Sequence, residues 1–239
     1  MATLSLGTLF VLVLPGSLGC EGKTSSAPQS LPQRSASDTA TTATSHDTQV
    51  REPKVVFLGD SVTAGLHLDA AEAFPAVVER TLRAQGLPFR LANAGVSGDT
   101  SAGGLARLDW ILKQKPAVVV VELGANDGLR GLPLATVEAN LRAILERLKQ
   151  QGVTTLLLGM RLPSNYGDEY TEAFYALYPR LASELGVALV PWFMEGVGGV
   201  AAMNLPDGLH PTPEGHRILA ARVARGLAPL LSAASHVAD

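Results

Sequence analysis

Cysteine occurs once in this 239-residue chain, at Cys20, so no disulfide can form within it. Aromatic residues make up only 5% of the sequence and charged residues 17%. With 19 Lys and Arg against 22 Asp and Glu, the formal net charge is −3, and no basic cluster breaks the mixed pattern. That excludes the electrostatic footprint of a nucleic-acid binder and favours a small or lipid-like partner. The N-terminal apolar run LFVLVLPGSLG is too short, and too broken by Pro15 and Gly16, to span a membrane. What is abundant is core-forming material. A hydrophobic share of 46% suits a soluble globular protein with one generous domain or two small ones.

The first 19 residues carry no charged side chain. They read as an export signal rather than a buried helix, although the positive start of such signals is missing, because nothing helical or apolar follows for a long stretch. Cys20 closes the run after small residues and resembles a lipobox cysteine, which becomes the lipidated first residue of a mature lipoprotein. Ser17 stands where that motif prefers leucine, and Leu18 comes one place late. Ser17 and Gly19 also suit ordinary signal cleavage, so an exported protein is expected, periplasmic or a membrane-anchored lipoprotein, with a secreted protein as the alternative. Residues 21–52, rich in Ser, Thr, Ala, Pro and Gln, cannot bury enough surface to offset their ordering entropy and read as a disordered tether. The folded domain is expected over 53–233.

From Lys54 onward, short apolar runs alternate with amphipathic segments. KVVFLG, FRLANAG, AVVVVELG, TTLLLGM and ALVPWF read as five strands too continuously apolar to have one wet face. EAFPAVVERTLRAQG, AGGLARLDWILKQK, LATVEANLRAILERLKQQG, YTEAFYALYPRLASELG and PEGHRILAARVARGLAPLL show helical spacing, and several end in glycine. The alternation predicts an α/β fold, a three-layer α/β/α sandwich around a five-stranded parallel sheet. Ligands of such sheets sit beyond the carboxyl ends of the strands. Asp60 and Ser61 follow strand one, Gly98 follows strand two, Asn126 and Asp127 follow strand three, and Asp207 with His210 precede the last helix. All belong to that one edge.

A serine hydroxyl attacks a carbonyl only if a base takes its proton, and the base works best when a third group fixes its tautomer. DGLHP offers both partners: Asp207, three positions before His210, can hold one imidazole nitrogen and leave the other facing the sheet edge. The side-chain amide of Asn126 and the backbone N–H groups of Gly98 and Ser61 are candidate oxyanion donors, with glycine at 98 allowing close backbone approach.

Each residue also has a plainer role open to it. Ser61 could cap the next helix, and Asn126 and Asp127 could be turn residues. Asp207, His210 and His216 could ligate a metal, but no further histidine or cysteine cluster supports them. His216 reads as helix surface, Asp60 as a structural acceptor, Asp99 as the cap before TSAGGLARL, and Thr212 with Pro213 as the start of the last helix. Arg142, Arg147 and Lys149 interleave with Glu138 and Glu146 as a solvated face. The joint occurrence of the polar groups at one edge favours the catalytic reading.

GDSVTAG, NAGVSGDTSAGGLARL, VVELGANDGLRG, RLPSNYG and PDGLHP together resemble the SGNH (GDSL-type) hydrolases, in particular the branch of bacterial periplasmic thioesterases, lysophospholipases and arylesterases. The likeness spans roughly Lys54 to Leu231. It implies a flavodoxin-like fold, a nucleophile at Ser61, oxyanion donors at Gly98 and Asn126, an acid and base at Asp207 and His210, and a mobile loop over 128–133. It also implies an acyl groove along 160–167, with Met160, Leu162, Pro163 and Tyr166 as candidate substrate-binding residues. The α/β-hydrolases fit less well, since their elbow wants glycine two residues after the serine, where Thr63 stands. The expected activity is hydrolysis of an acyl ester or thioester by a monomer without metal or organic cofactor. A carbohydrate or aryl O-acetylesterase is the alternative enzyme, and a silent surface-binding module the alternative of another class.

Overall fold

Valine and leucine runs without a polar position suit strands covered on both sides, and β-branched valine favours the strand, which is how the centre of the sheet is built. The computed structural model describes residues 52–236; the expected signal, Cys20 and most of the tether lie outside them. Strands β1 (Lys54–Gly59), β2 (Arg90–Gly95), β3 (Val118–Glu122), β4 (Thr154–Leu158) and β5 (Ala188–Val190) form one parallel sheet in the order β2-β1-β3-β4-β5. β1 pairs with β2 on one side and β3 on the other, with Gly59 opposite both Gly95 and Glu122. The chain leaves β1 toward one edge and returns to β3 to build toward the other. That reversal opens a crevice between the carboxyl ends of β1 and β3.

The helices are α1 (Ser61–Ala64), α2 (Phe74–Ala84), α3 (Ser101–Ala106), α4 (Leu108–Lys113), α5 (Ala125–Leu129), α6 (Leu134–Gln150), α7 (Asp168–Leu185) and α8 (Pro213–His236). α2 packs on α8, and α6 packs on α3 and α7, so the helices form two layers on the sheet. Val55 to Leu58, Val118 to Val121, Phe74, Leu141, Phe174 and Leu227 are fully buried between them.

Several sequence expectations need correction. β2 is an edge strand with Arg90 and Asn93 exposed, so it does have a wet side. The helix expected over 102–115 is two helices, because the backbone at Arg107 leaves helical geometry (φ −99°, ψ 7°). The Arg107 guanidinium meanwhile bridges the strand ends, donating to the carbonyls of Ala94 (2.6 Å) and Gly59 (2.9 Å) and to Asp99 (2.8 Å). Asp99 is therefore Arg107's partner and not the helix cap; Thr100 caps α3 by accepting from the Gly103 N–H. The face of α6 is not merely solvated: Arg142 reaches Glu184 on α7, Arg147 pairs with Asp109 on α4, and Lys149 donates to the Leu185 carbonyl.

Candidate active site

The turn out of β1 is tight. A Cβ at Gly59 would come within 2.0 Å of Thr63 Oγ1 and 2.6 Å of Glu122 Oε2, so only glycine fits between strand and helix. Asp60 caps α1: its Oδ1 accepts from the Val62 N–H at 2.9 Å. Ser61 is thus the first residue of the helix and not its cap. Its hydroxyl is left for another partner, and its backbone N–H has no acceptor among the described residues.

That partner is His210, whose Nε2 lies 2.9 Å from Ser61 Oγ. On the far side of the ring, Nδ1 lies 2.7 Å from Asp207 Oδ2. The other carboxylate oxygen of Asp207 accepts from the N–H groups of Leu209 (2.8 Å) and His210 (3.0 Å). These bonds, the His210 backbone donor first and its ring next, hold the carboxyl well below the usual carboxylate range, so it is ionised across the physiological range. The loop is itself pinned. Leu205 N–H donates to the His210 carbonyl at 2.7 Å, Asn204 pairs with Pro211, and Thr212 caps α8 by accepting from the Gly215 N–H.

The remaining candidates are placed by neighbouring loops. Asn126, in α5, donates from Nδ2 to Asp60 Oδ2 at 3.0 Å, leaving its second amide hydrogen free. Asp127 is structural: buried, it accepts from the Ser101 N–H at 2.8 Å and hydroxyl at 2.6 Å, tying α5 to α3. Gly98 follows β2 with φ +78°, which is what demands glycine there, and its carbonyl accepts from Arg130 at 3.0 Å. Its N–H has no acceptor among the described residues, and it does not line the cavity.

A cavity of about 270 Å³ opens beside Ser61 and His210. Met160, Leu162 and Pro163 line it, joined by Leu129, Trp192 and Met194. Tyr166 does not: its hydroxyl donates to the Leu129 carbonyl at 2.8 Å, while that of Tyr170 donates to the Leu132 carbonyl at 2.8 Å. The two tyrosines hold the segment over 128–133 from outside the cavity.

Two groups escaped the sequence reading. Glu122, at the end of β3, is buried and accepts from the Asp60 N–H (3.1 Å) and Thr63 hydroxyl (2.7 Å), while its Oε1 has no partner among the described residues. Burial first, and the Asp60 charge next, push its carboxyl well above the ordinary range; burial also raises Asp60. The signal was present in VVVVE, a lone carboxylate ending an apolar strand. His216, expected on the surface, is 1% exposed and accepts from the Phe74 N–H through Nδ1 at 3.0 Å. Burial, then the charge of His210, lowers its pKa to about 4, so it is a neutral structural acceptor between α8 and α2.

These are the parts that acyl transfer requires. A base touches the hydroxyl, an ionised carboxylate fixes the base, donors stand nearby, and an apolar cavity adjoins them. A family model described as GDSL-like lipase/acylhydrolase matches residues 57–218. Esterase TesA of Pseudomonas aeruginosa is 45% identical over 184 residues, 77% of this chain and 92% of that protein. Thioesterase 1/protease 1/lysophospholipase L1 of Escherichia coli is 43% identical over 179 residues, 74% of this chain and 85% of that protein. The crystal structure of TesA superposes with a TM-score of 0.72 at 45% identity, covering 74% of this chain and 99% of that one. The chain belongs to the GDSL-like lipase/acylhydrolase family.

Proposed function

We propose that this chain is a serine esterase that hydrolyses acyl esters or thioesters through an acyl-enzyme on Ser61. The unbroken contact from Asp207 through His210 to Ser61, at 2.7 and 2.9 Å beside an apolar cavity, carries the reading. Ser61 Oγ bonds to the substrate carbonyl carbon while its proton passes to His210 Nε2. The negative charge that develops on the carbonyl oxygen is met by the N–H of Ser61, the N–H of Gly98 and the free amide hydrogen of Asn126. As the intermediate collapses, the carbon–leaving-group bond breaks and the proton on Nε2 goes to the departing alcohol or thiol. Water then repeats the sequence: it gives a proton to Nε2, attacks the acyl carbon, and expels Ser61 Oγ, which recovers the proton. Asp207 stays ionised throughout and steadies the imidazolium.

Met160, Leu162 and Pro163 form the acyl wall, and the apolar lining favours medium or longer chains over acetate. Hydrolysis of p-nitrophenyl esters from acetate to palmitate, beside a lysophospholipid and an acyl-CoA, tests this: turnover should rise beyond acetate. Activity confined to acetyl esters would contradict the acyl assignment, and no turnover of any ester would contradict the function.

The same reading places the domain outside the cytoplasm, exported by residues 1–20 and tethered through lipidated Cys20. The unique cysteine after an apolar, uncharged run supports this. Cys20→Ala should then move the protein from the membrane fraction to the soluble one with specific activity unchanged. Wild-type protein found only in the soluble fraction would refute it.

A further inference from the structure

Among the described lysines and arginines, Arg161 alone lines the cavity beside Ser61. Its guanidinium carbon lies 3.9 Å from the ring centroid of Tyr175 and 5.0 Å from that of Trp192. Most arginines of the domain are neutralised by a carboxylate, as Arg83 is by Glu52 and Glu79, Arg107 by Asp99, and Arg142 by Glu138 and Glu184. Arg161 makes no ion pair and no hydrogen bond with any described residue. Aromatic faces hold such a cation in place without cancelling its charge, and they leave its N–H fork open. The carboxyl groups on the lining do not answer it either. Asp60 is engaged by Val62 and Asn126, and Glu122 is buried against Asp60 and Thr63.

A permanently charged planar fork with unused donors matches a carboxylate or phosphate, which it can grip through two parallel bonds. We propose that Arg161 is a specificity-determining residue, the anion subsite of the groove, and that the substrates this site prefers are esters carrying a carboxylate or phosphate. Tyr175 and Trp192 act as the splint that keeps the guanidinium at the cavity wall. This rests on the esterase reading above and narrows its substrate class.

Two matched pairs of activated esters test it. p-Carboxyphenyl butyrate against phenyl butyrate places the charge on the leaving group, and mono-p-nitrophenyl glutarate against p-nitrophenyl butyrate places it on the acyl group. In wild type at low ionic strength, one charged ester should exceed its neutral partner in kcat/KM by about tenfold, the value of one charge-assisted contact. Arg161→Gln should erase that ratio, chiefly through KM of the charged ester, and Arg161→Lys should keep part of it. A wild type that shows no preference for either charged ester overturns the proposal. So does Arg161→Gln lowering charged and neutral esters by the same factor, which would make Arg161 only a clip between Tyr175 and Trp192. Failure of wild type on all four esters would instead overturn the esterase reading itself.

Discussion

Asp60 holds Asn126: one carboxylate oxygen accepts from the Asn126 amide at 3.0 Å while the other caps the helix that begins with Ser61, at 2.9 Å to the Val62 N–H. One buried side chain therefore orients a proposed oxyanion donor and the proposed nucleophile together. Asp60→Asn offers a single carbonyl oxygen to these two donors, so one tie must break. The expected result is a fall in kcat of about tenfold with KM little changed, and a stability loss of about 1 kcal/mol from the weakened cap. Asn126→Ala should cost about 2.7 to 4 kcal/mol of transition-state stabilisation. Steady-state kinetics on one activated ester, with thermal melts, would show both; a KM effect alone would contradict the orienting role.

Glu122 couples stability to pH. Its carboxyl is raised well above the ordinary range by burial and by Asp60, so between its unfolded and folded pKa values the native state binds the extra proton. Stability contributed by this group is therefore full at acidic pH and falls as pH rises through the folded pKa. Glu122→Gln, an isostere of the protonated acid, should flatten that decline and gain on wild type as pH rises. Urea midpoints across the pH range are the readout, and parallel curves for the two proteins would contradict the raised Glu122 carboxyl.

His216 acts in the opposite direction. With its pKa lowered to about 4 from 6.5, the unfolded chain binds the proton more readily, so stability is full above the unfolded value and is lost as pH falls through about 4. The loss over that window is on the order of 3 kcal/mol. His216→Ala removes the acceptor of the buried Phe74 N–H and opens a void, and should destabilise by about 2 to 4 kcal/mol while the folded fraction still turns over ester. A melting temperature equal to wild type would contradict the buried role.

Strand positions were legible because β1 and β3 are uninterrupted apolar runs, and the meeting of Ser61, His210 and Asp207 was legible because strand ends and one short loop leave few other arrangements. Burial within a helix was not. His216 lies in α8 beside Glu214 and Arg217, and only the packing of α8 on α2 decides which side of it is covered. The break at Arg107 was hidden because ARLDWILK has uniform helical character, while its cause is a guanidinium reaching back to Ala94 and Gly59. Tyr166 has the right neighbours in sequence for an acyl wall, but its hydroxyl finds the Leu129 carbonyl instead. Arg161 carries no local signal at all, since the rings that hold it come from α7 and from the loop after β5.

Covalent chemistry at Ser61 can be seen by trapping the acyl-enzyme. Acid quenching during turnover of an activated medium-chain ester, followed by proteolysis and mass spectrometry, should find the acyl group on Ser61 in the segment that follows β1. Ser61→Ala, folded by circular dichroism, should carry no adduct and should lose turnover by about a millionfold, the scale set by removing such a nucleophile. An acyl group on any other residue, or folded Ser61→Ala turning over the ester near the wild-type rate, would contradict the account.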